Sequence, residues 1–320
     1  MKLYVTSHNG VLDAYKEQIH NVHPLDAEKL VLWQDCAGSC QELAITCKKA
    51  FPKPIYVMQH GRRASRDYGA PLHRKFISDT FLAWGEWDKK NMESLGHKSE
   101  IVGFPLRDLI KPKIYHEEKI VLFIPVNTGK EEPDNLRVYN ELLSYKLDLI
   151  NQRLDSDYES LRGSWPTTTT RNALADRFTI VSKVLPWHKH DLYSDGIIKG
   201  FQDARKNNER IFNLLRNVDL VVGVDEGTTE LFATAMDVPV IIVDGFEYRW
   251  NDNGGCRVKP PVSPGFTHVG IKDLKQAVEY HLAHPEAGRE GRLATAEYEM
   301  SLSSIQDPIK RLHEIIGSKQ

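Results

Sequence analysis

Cysteine is scarce in this chain, with four residues in 320, at Cys36, Cys40, Cys47 and Cys256. Cys36 and Cys40 could share a metal, but the second pair that a zinc knuckle needs is absent, and reduced structural thiols are expected. Long hydrophobic runs are missing too: none approaches the roughly 20 residues of a spanning helix. The opening MKLYVTSHNG has no signal-peptide core and starts directly with strand-forming residues. Charge of one sign is lacking, since 42 Lys and Arg stand against 44 Asp and Glu, a formal net charge of −2. No global field therefore advertises a nucleic acid or a basic partner, and any polyanion contact has to be a local patch. Short repeats are absent, and the run Thr167–Thr170 is the one low-complexity tract. What remains is ordinary for a globular protein at 41% hydrophobic and 27% charged residues. The expectation is a soluble, cytoplasmic α/β protein, long enough for two domains.

Short apolar runs alternate with amphipathic stretches along the chain. Strands are expected at Leu3–Thr6, Leu30–Gln34, Pro54–Gln59, Thr80–Trp84 and Glu100–Gly103, with helices between them. This alternation implies a parallel sheet, so residues 1–112 read as one Rossmann-like domain. The charged stretch Lys111–Lys119, broken by Pro112, reads as a linker. A second alternation fills residues 119–290: a strand at Lys119–Val126, a helix at Asn135–Arg153, a strand at Arg177–Leu185 and a helix at Ile197–Arg216. Gly245–Gly270, rich in Gly, Pro and Asn, reads as a long loop. Residues 291–320 close with helix, ending in Ile309–Ile316 after Pro308.

The most informative stretch is Val218–Asp244, VDLVVGVDEGTTELFATAMDVPVIIVD. Leu220–Val224 suits a buried parallel strand, Glu230–Met236 a helix stopped by Asp237 and Pro239, and Val240–Val243 a second buried strand. The unit is βαβ with a right-handed crossover. Its turn holds Glu226, Gly227, Thr228 and Thr229. Glycine lets a ligand come close, and the threonines offer amides and hydroxyls at a helix N-terminus, where phosphate is favoured. Glu230, one turn in, can accept hydrogen bonds from a ribose. Two readings stand for this turn: a phosphate site, or an ordinary βαβ turn with a threonine N-cap.

This string resembles the nucleotide-diphosphate-binding segment of GT-B glycosyltransferases and the related UDP-N-acetylglucosamine 2-epimerases. There a strand ends in a small-residue turn, and a helix carries a Glu before a G-x-P-V-I strand. Asp237-Val238-Pro239-Val240-Ile241 stands in that last place, with Asp where Gly is usual. The resemblance implies two Rossmann-like parallel-sheet domains facing a cleft, with the C-terminal helix returning to the first domain.

Further strings fit the same resemblance. Tyr56–Gly61, YVMQHG, is similar to the QHG element of capsule and teichoic-acid glycosyl- and glycerophosphotransferases of GT-B type. His60, at the end of a parallel strand, can take a proton from an attacking hydroxyl; alone, it would read as a histidine bonded in a turn. Arg62, Arg63 and Arg66 follow in a basic loop, either solvated surface or an attraction for an anionic acceptor. Ser99–Leu106 resembles the strand end that closes the first GT-B domain, which brings the Gly103 backbone near the donor. Ile180–His188 resembles the xVxKxHP strand end with its order altered. Lys183 is then the cation for the donor phosphates and His188 a neighbour, against the plainer reading of a surface lysine. His8 lies at a neighbouring strand end, and Glu247 or Asp244, at the end of the last strong strand, could hold sugar hydroxyls.

No Asp-x-Asp pair stands where a metal-dependent sugar transferase would need one, so no metal and no further cofactor is expected. The implied function is a metal-independent glycosyltransferase using a nucleotide-diphosphate sugar, UDP-linked by the resemblance. Its acceptor would be a glycan, a lipid carrier or a modified DNA base. A nucleotide-sugar 2-epimerase and a non-catalytic nucleotide-sugar-binding subunit are the alternatives.

Overall fold

The computed structural model describes residues 3–5, 23, 26–32, 38–50, 53–59, 77–94, 96–115, 119–125, 135–148, 178–184, 196–199, 204–224, 226–244 and 263–317. The first sheet holds β1 (Leu3–Val5), β2 (Lys29–Leu32), β3 (Ile55–Met58), β4 (Thr80–Ala83) and β5 (Ser99–Ile101). All pair in parallel, in the order β1-β2-β3-β4-β5. Because this order never reverses, right-handed crossovers place their helices on one face. Accordingly α1 (Gly38–Ala50) and α2 (Glu86–Ser94) share a face. There Ala44, Cys47 and Met92 pack on Leu30, Leu32, Ile55, Val57, Phe81 and Ala83. The opposite face, with Val31, Tyr56, Met58, Leu82 and Trp84, is covered by residues from far along the chain, among them Leu312 and Ile316.

The second sheet has the order β11-β10-β9-β6-β7-β8, again all parallel. Its strands are β6 (Lys119–Ile124), β7 (Phe178–Val184), β8 (Gly196–Lys199), β9 (Leu220–Gly223), β10 (Val240–Asp244) and β11 (Thr267–Gly270). Here helices cover both faces. The helix of residues 135–148 (α3) packs Val138, Leu142 and Tyr145 on Val121, Phe123 and Ile180. On the other face α4 (Ala204–Leu215) and α5 (Thr228–Ala235) set Phe212, Leu231 and Phe232 against Leu122, Val221 and Ile242.

Three helices follow: α6 (Leu274–Ala283), α7 (Arg289–Met300) and α8 (Pro308–Gly317). The Phe104 amide donates to the Met300 carbonyl at 3.1 Å, Arg311 Nε to the Ile101 carbonyl at 3.4 Å, and Lys29 Nζ to the Ile316 carbonyl. The last two helices are thus fastened to the first sheet.

Two elements differ from the sequence-based expectation. Ile197–Arg216 is not one helix: Gly196–Lys199 is a strand on the edge of β7, and helix begins only at Ala204. A pair of β-branched isoleucines flanked by glycines suits a short strand, and pairing with β7 decides the matter. Within the expected loop Gly245–Gly270, the last four residues are β11, whose pairing is supplied by β10.

Candidate functional site

In the second sheet the chain runs from β6 out through β7 and β8, then returns to β9 on the other side of β6. Where the order reverses, adjacent connections leave toward opposite faces, and a crevice opens outside the carboxyl ends of the strands. The turn Glu226–Gly227 comes off β9 at this reversal. Gly227 is the N-cap of α5, extended at φ −107° and ψ −174°, and no side chain caps the helix. Thr228 and Thr229 are therefore not caps, as the sequence suggested, but the first two helical residues. Glu230 explains why: its Oε2 lies 2.7 Å from where a Cβ on residue 227 would stand. The carboxylate folds back over the cap, an orientation the helix dipole favours, and a side chain at residue 227 would have to push it aside.

Glu226 and Glu230 are each 3% exposed, so two acids are buried within one turn. A histidine meets the first. His268, on β11, points from the sheet face shared with Ile242 and lies between two carboxylates. Its Nε2 is 2.9 Å from Glu226 Oε1, an ion pair when the ring is protonated. Its Nδ1 is 3.1 and 3.2 Å from the two oxygens of Asp244, at the end of β10. The Glu226 contact raises the imidazole pKa, burial opposes it, and Asp244 raises it further, the net direction being upward. Sequence reasoning marked Glu226 and Asp244 but missed His268, because its strand was hidden in a loop-like stretch. The alternation Thr-His-Val-Gly before a helix was the available signal.

The far end of α5 is also built from charge. Asp237 adopts a left-handed conformation at φ 55°, the place where glycine is usual. Its carboxylate accepts from Arg292 Nε and Nη2 at 3.0 and 2.8 Å and pairs with Arg289 Nε at 3.0 Å. The aspartate is the point at which α7 grips α5, which glycine could not provide.

No protein-family model and no curated protein matches the sequence. Solved structures, however, share its architecture over nearly the whole chain. One is a Listeria monocytogenes protein assigned as a UDP-N-acetylglucosamine 2-epimerase: TM-score 0.56, 11% identity, with 97% of this chain and 79% of that one covered. Another is S. aureus MnaA in its co-structure with UDP, at TM-score 0.52, 11% identity and coverages of 97% and 80%. UGT89C1 of Arabidopsis thaliana gives 0.51 and 11%, with 95% and 75% covered. The fold is GT-B. At 11% identity the likeness carries the fold and not a reaction.

Within the GT-B frame, Lys183 lies near the carboxyl end of β7, which β6 separates from the strand that feeds the Glu226–Glu230 turn. Gly103 has φ +82°, and a Cβ there would stand 2.8 Å from Ile305, so the returning chain fills the space beside it. His60, His8, Arg62, Arg63, Arg66, His188 and Glu247 lie outside the described residues. The residue before His60 is fixed firmly. Gln59 is fully buried, accepts the Trp84 amide at 2.6 Å and donates to Asp88 at 2.5 Å, which ties the exit of β3 to α2. Among the described residues no group of three or more His, Cys, Asp and Glu is arranged to hold a metal ion. None of the described helices is long and apolar enough to cross a membrane.

Proposed function

We propose that the protein is a metal-independent glycosyltransferase that moves a sugar from a nucleoside-diphosphate donor, UDP-linked, to an acceptor hydroxyl. The observation that carries this reading is the turn at the strand-order reversal, where Gly227 opens α5 and buried acids flank the helix N-terminus. In this reading the amides and hydroxyls of Thr228 and Thr229, with Lys183, take the leaving diphosphate, as preorganised dipoles and charge do. Glu226 and Glu230, being acceptors, take ribose or sugar hydroxyls. His60 removes the acceptor proton, and Arg62, Arg63 and Arg66 attract an anionic acceptor, a glycan, a lipid-linked phosphate or DNA. Residues 1–112 serve the acceptor, residues 119–290 the donor, and 291–320 tie the two.

A second reading, nucleotide-sugar 2-epimerisation, is favoured by Glu226, His268 and Asp244, which put two carboxylates and an imidazole together near that turn. A panel of nucleotide sugars separates the two. Transfer or hydrolysis frees the nucleotide, whereas epimerisation yields an isomer with nucleotide retained. Replacing Thr228 and Thr229 together with Val is expected to weaken UDP binding by calorimetry about tenfold, the loss of one or two hydrogen bonds to a charged group. Unchanged affinity would make the turn scaffold only.

A further inference from the structure

The pair of contacts made by His268 reaches beyond its own strand. Glu226 belongs to the turn after β9, Asp244 to the end of β10, and His268 to β11, so one ring joins three neighbouring connections of the sheet. Glu226 is 3% exposed and cannot stay ionised there without a compensating charge. The ring is itself mostly buried, with 13% of its side chain exposed, and it lies between the acids with one nitrogen toward each. A neutral imidazole could donate from only one nitrogen and would set a lone pair against the other carboxylate. With both carboxylates ionised, the arrangement is complete only with both nitrogens protonated.

We propose that His268 is a positioning residue for the donor turn, an imidazolium that clamps Glu226 to Asp244 and so holds the Glu226–Gly227 turn in its binding shape. The proposal rests on the reading of that turn as the donor site. It makes donor binding sensitive to pH through one side chain that touches neither sugar nor acceptor. Among the described residues, Glu226 and Asp244 are the charged groups that raise the ring's pKa. His281 spends Nε2 on the Thr267 hydroxyl at 2.9 Å, and burial holds its pKa low. The sign is that of a group with a raised folded-state pKa. The clamp is fully present below the ordinary value of about 6.5 and is lost as pH rises through the elevated one.

The test uses the full chain, its His268→Gln variant, and UDP as probe. Thermal unfolding followed from pH 6 to pH 9 is expected to cost the wild type about 2–4 °C more than the variant, the size of roughly 1 kcal/mol in a chain of this class. By calorimetry the variant is expected to bind UDP about tenfold more weakly at pH 6, the loss of one hydrogen bond to a charged group, and to match the wild type at pH 9. Identical pH dependence of melting in the two proteins overturns the clamp, whatever UDP does. A difference in melting with equal UDP affinity at every pH overturns its positioning role. A difference in melting with no UDP binding by the wild type sinks the donor reading and leaves the clamp in place.

Discussion

Two carboxylates buried beside a helix N-terminus pose a charge problem at the scale of single residues. Glu226 and Glu230 repel a diphosphate, so a donor bound there must meet its phosphates with the amides of Thr228 and Thr229 and with cations. The acids are better matched to hydroxyl groups, which can donate to them. His60 belongs to a different task in this scheme, acting on the acceptor from the other sheet. A general base contributes roughly 100- to 10,000-fold in rate. His60→Ala is therefore expected to lower turnover by about that factor while nucleotide affinity changes little, and the wild-type rate should fall as pH drops through the imidazole's titration. Loss of nucleotide affinity with turnover intact would show that the ring holds a donor phosphate instead.

At the scale of elements, α7 is the piece that joins the two sheets. Through Arg292 and Arg289 it grips the end of α5 at Asp237, and its other side meets the Trp84-Gly85 turn after β4. There a Cβ on residue 85 would stand 2.4 Å from the carbonyl carbon of Glu299 and 2.5 Å from the Tyr298 oxygen. Both surfaces are backbone and cannot give way as a side chain would. Gly85→Ala is expected to destabilise by about 1–3 kcal/mol, as overpacking of a tight site does. Chemical denaturation would measure it, and an unchanged midpoint would mean that α7 slides freely over the turn. The charged stretch before β6 is likewise anchored: Lys113 pairs with Asp219 at 3.2 Å, and the Ile114 amide donates to the Arg216 carbonyl at 2.7 Å.

Across the whole molecule one apolar core serves both sheets. Trp84 and Phe104 from the first meet Phe212 and Phe232 from the second, with ring centroids 5.0 Å apart for Trp84–Phe104, 5.3 Å for Phe104–Phe232 and 4.7 Å for Phe212–Phe232. Phe232 is on the helix that begins after Gly227, 2% exposed. Phe232→Ala is expected to cost about 3–5 kcal/mol, the range for deleting a buried aromatic. Because that ring touches both sheets, the two should lose stability in one transition. Separate transitions in calorimetry would show instead that each sheet folds without the shared core.

The sequence by itself determined the alternating strands and helices of both sheets and the βαβ unit of Val218–Asp244. Those features are written in local apolar runs, turn residues and helix stops, which need no distant partner to be legible. It also marked Glu226, Gly227 and Glu230, because a glycine turn between strand and helix is a local pattern. Only the tertiary structure decided what depends on meetings across the chain. The strand status of Gly196–Lys199 and Thr267–Gly270 came from neighbours that supply their hydrogen bonds. The clamp came from Asp244, 24 residues before His268, and from a turn more distant still. The bare face of the first sheet gave no local sign that α8 would cover it, since burial there is settled by sheet order and crossover hand, not by the strands' own residues.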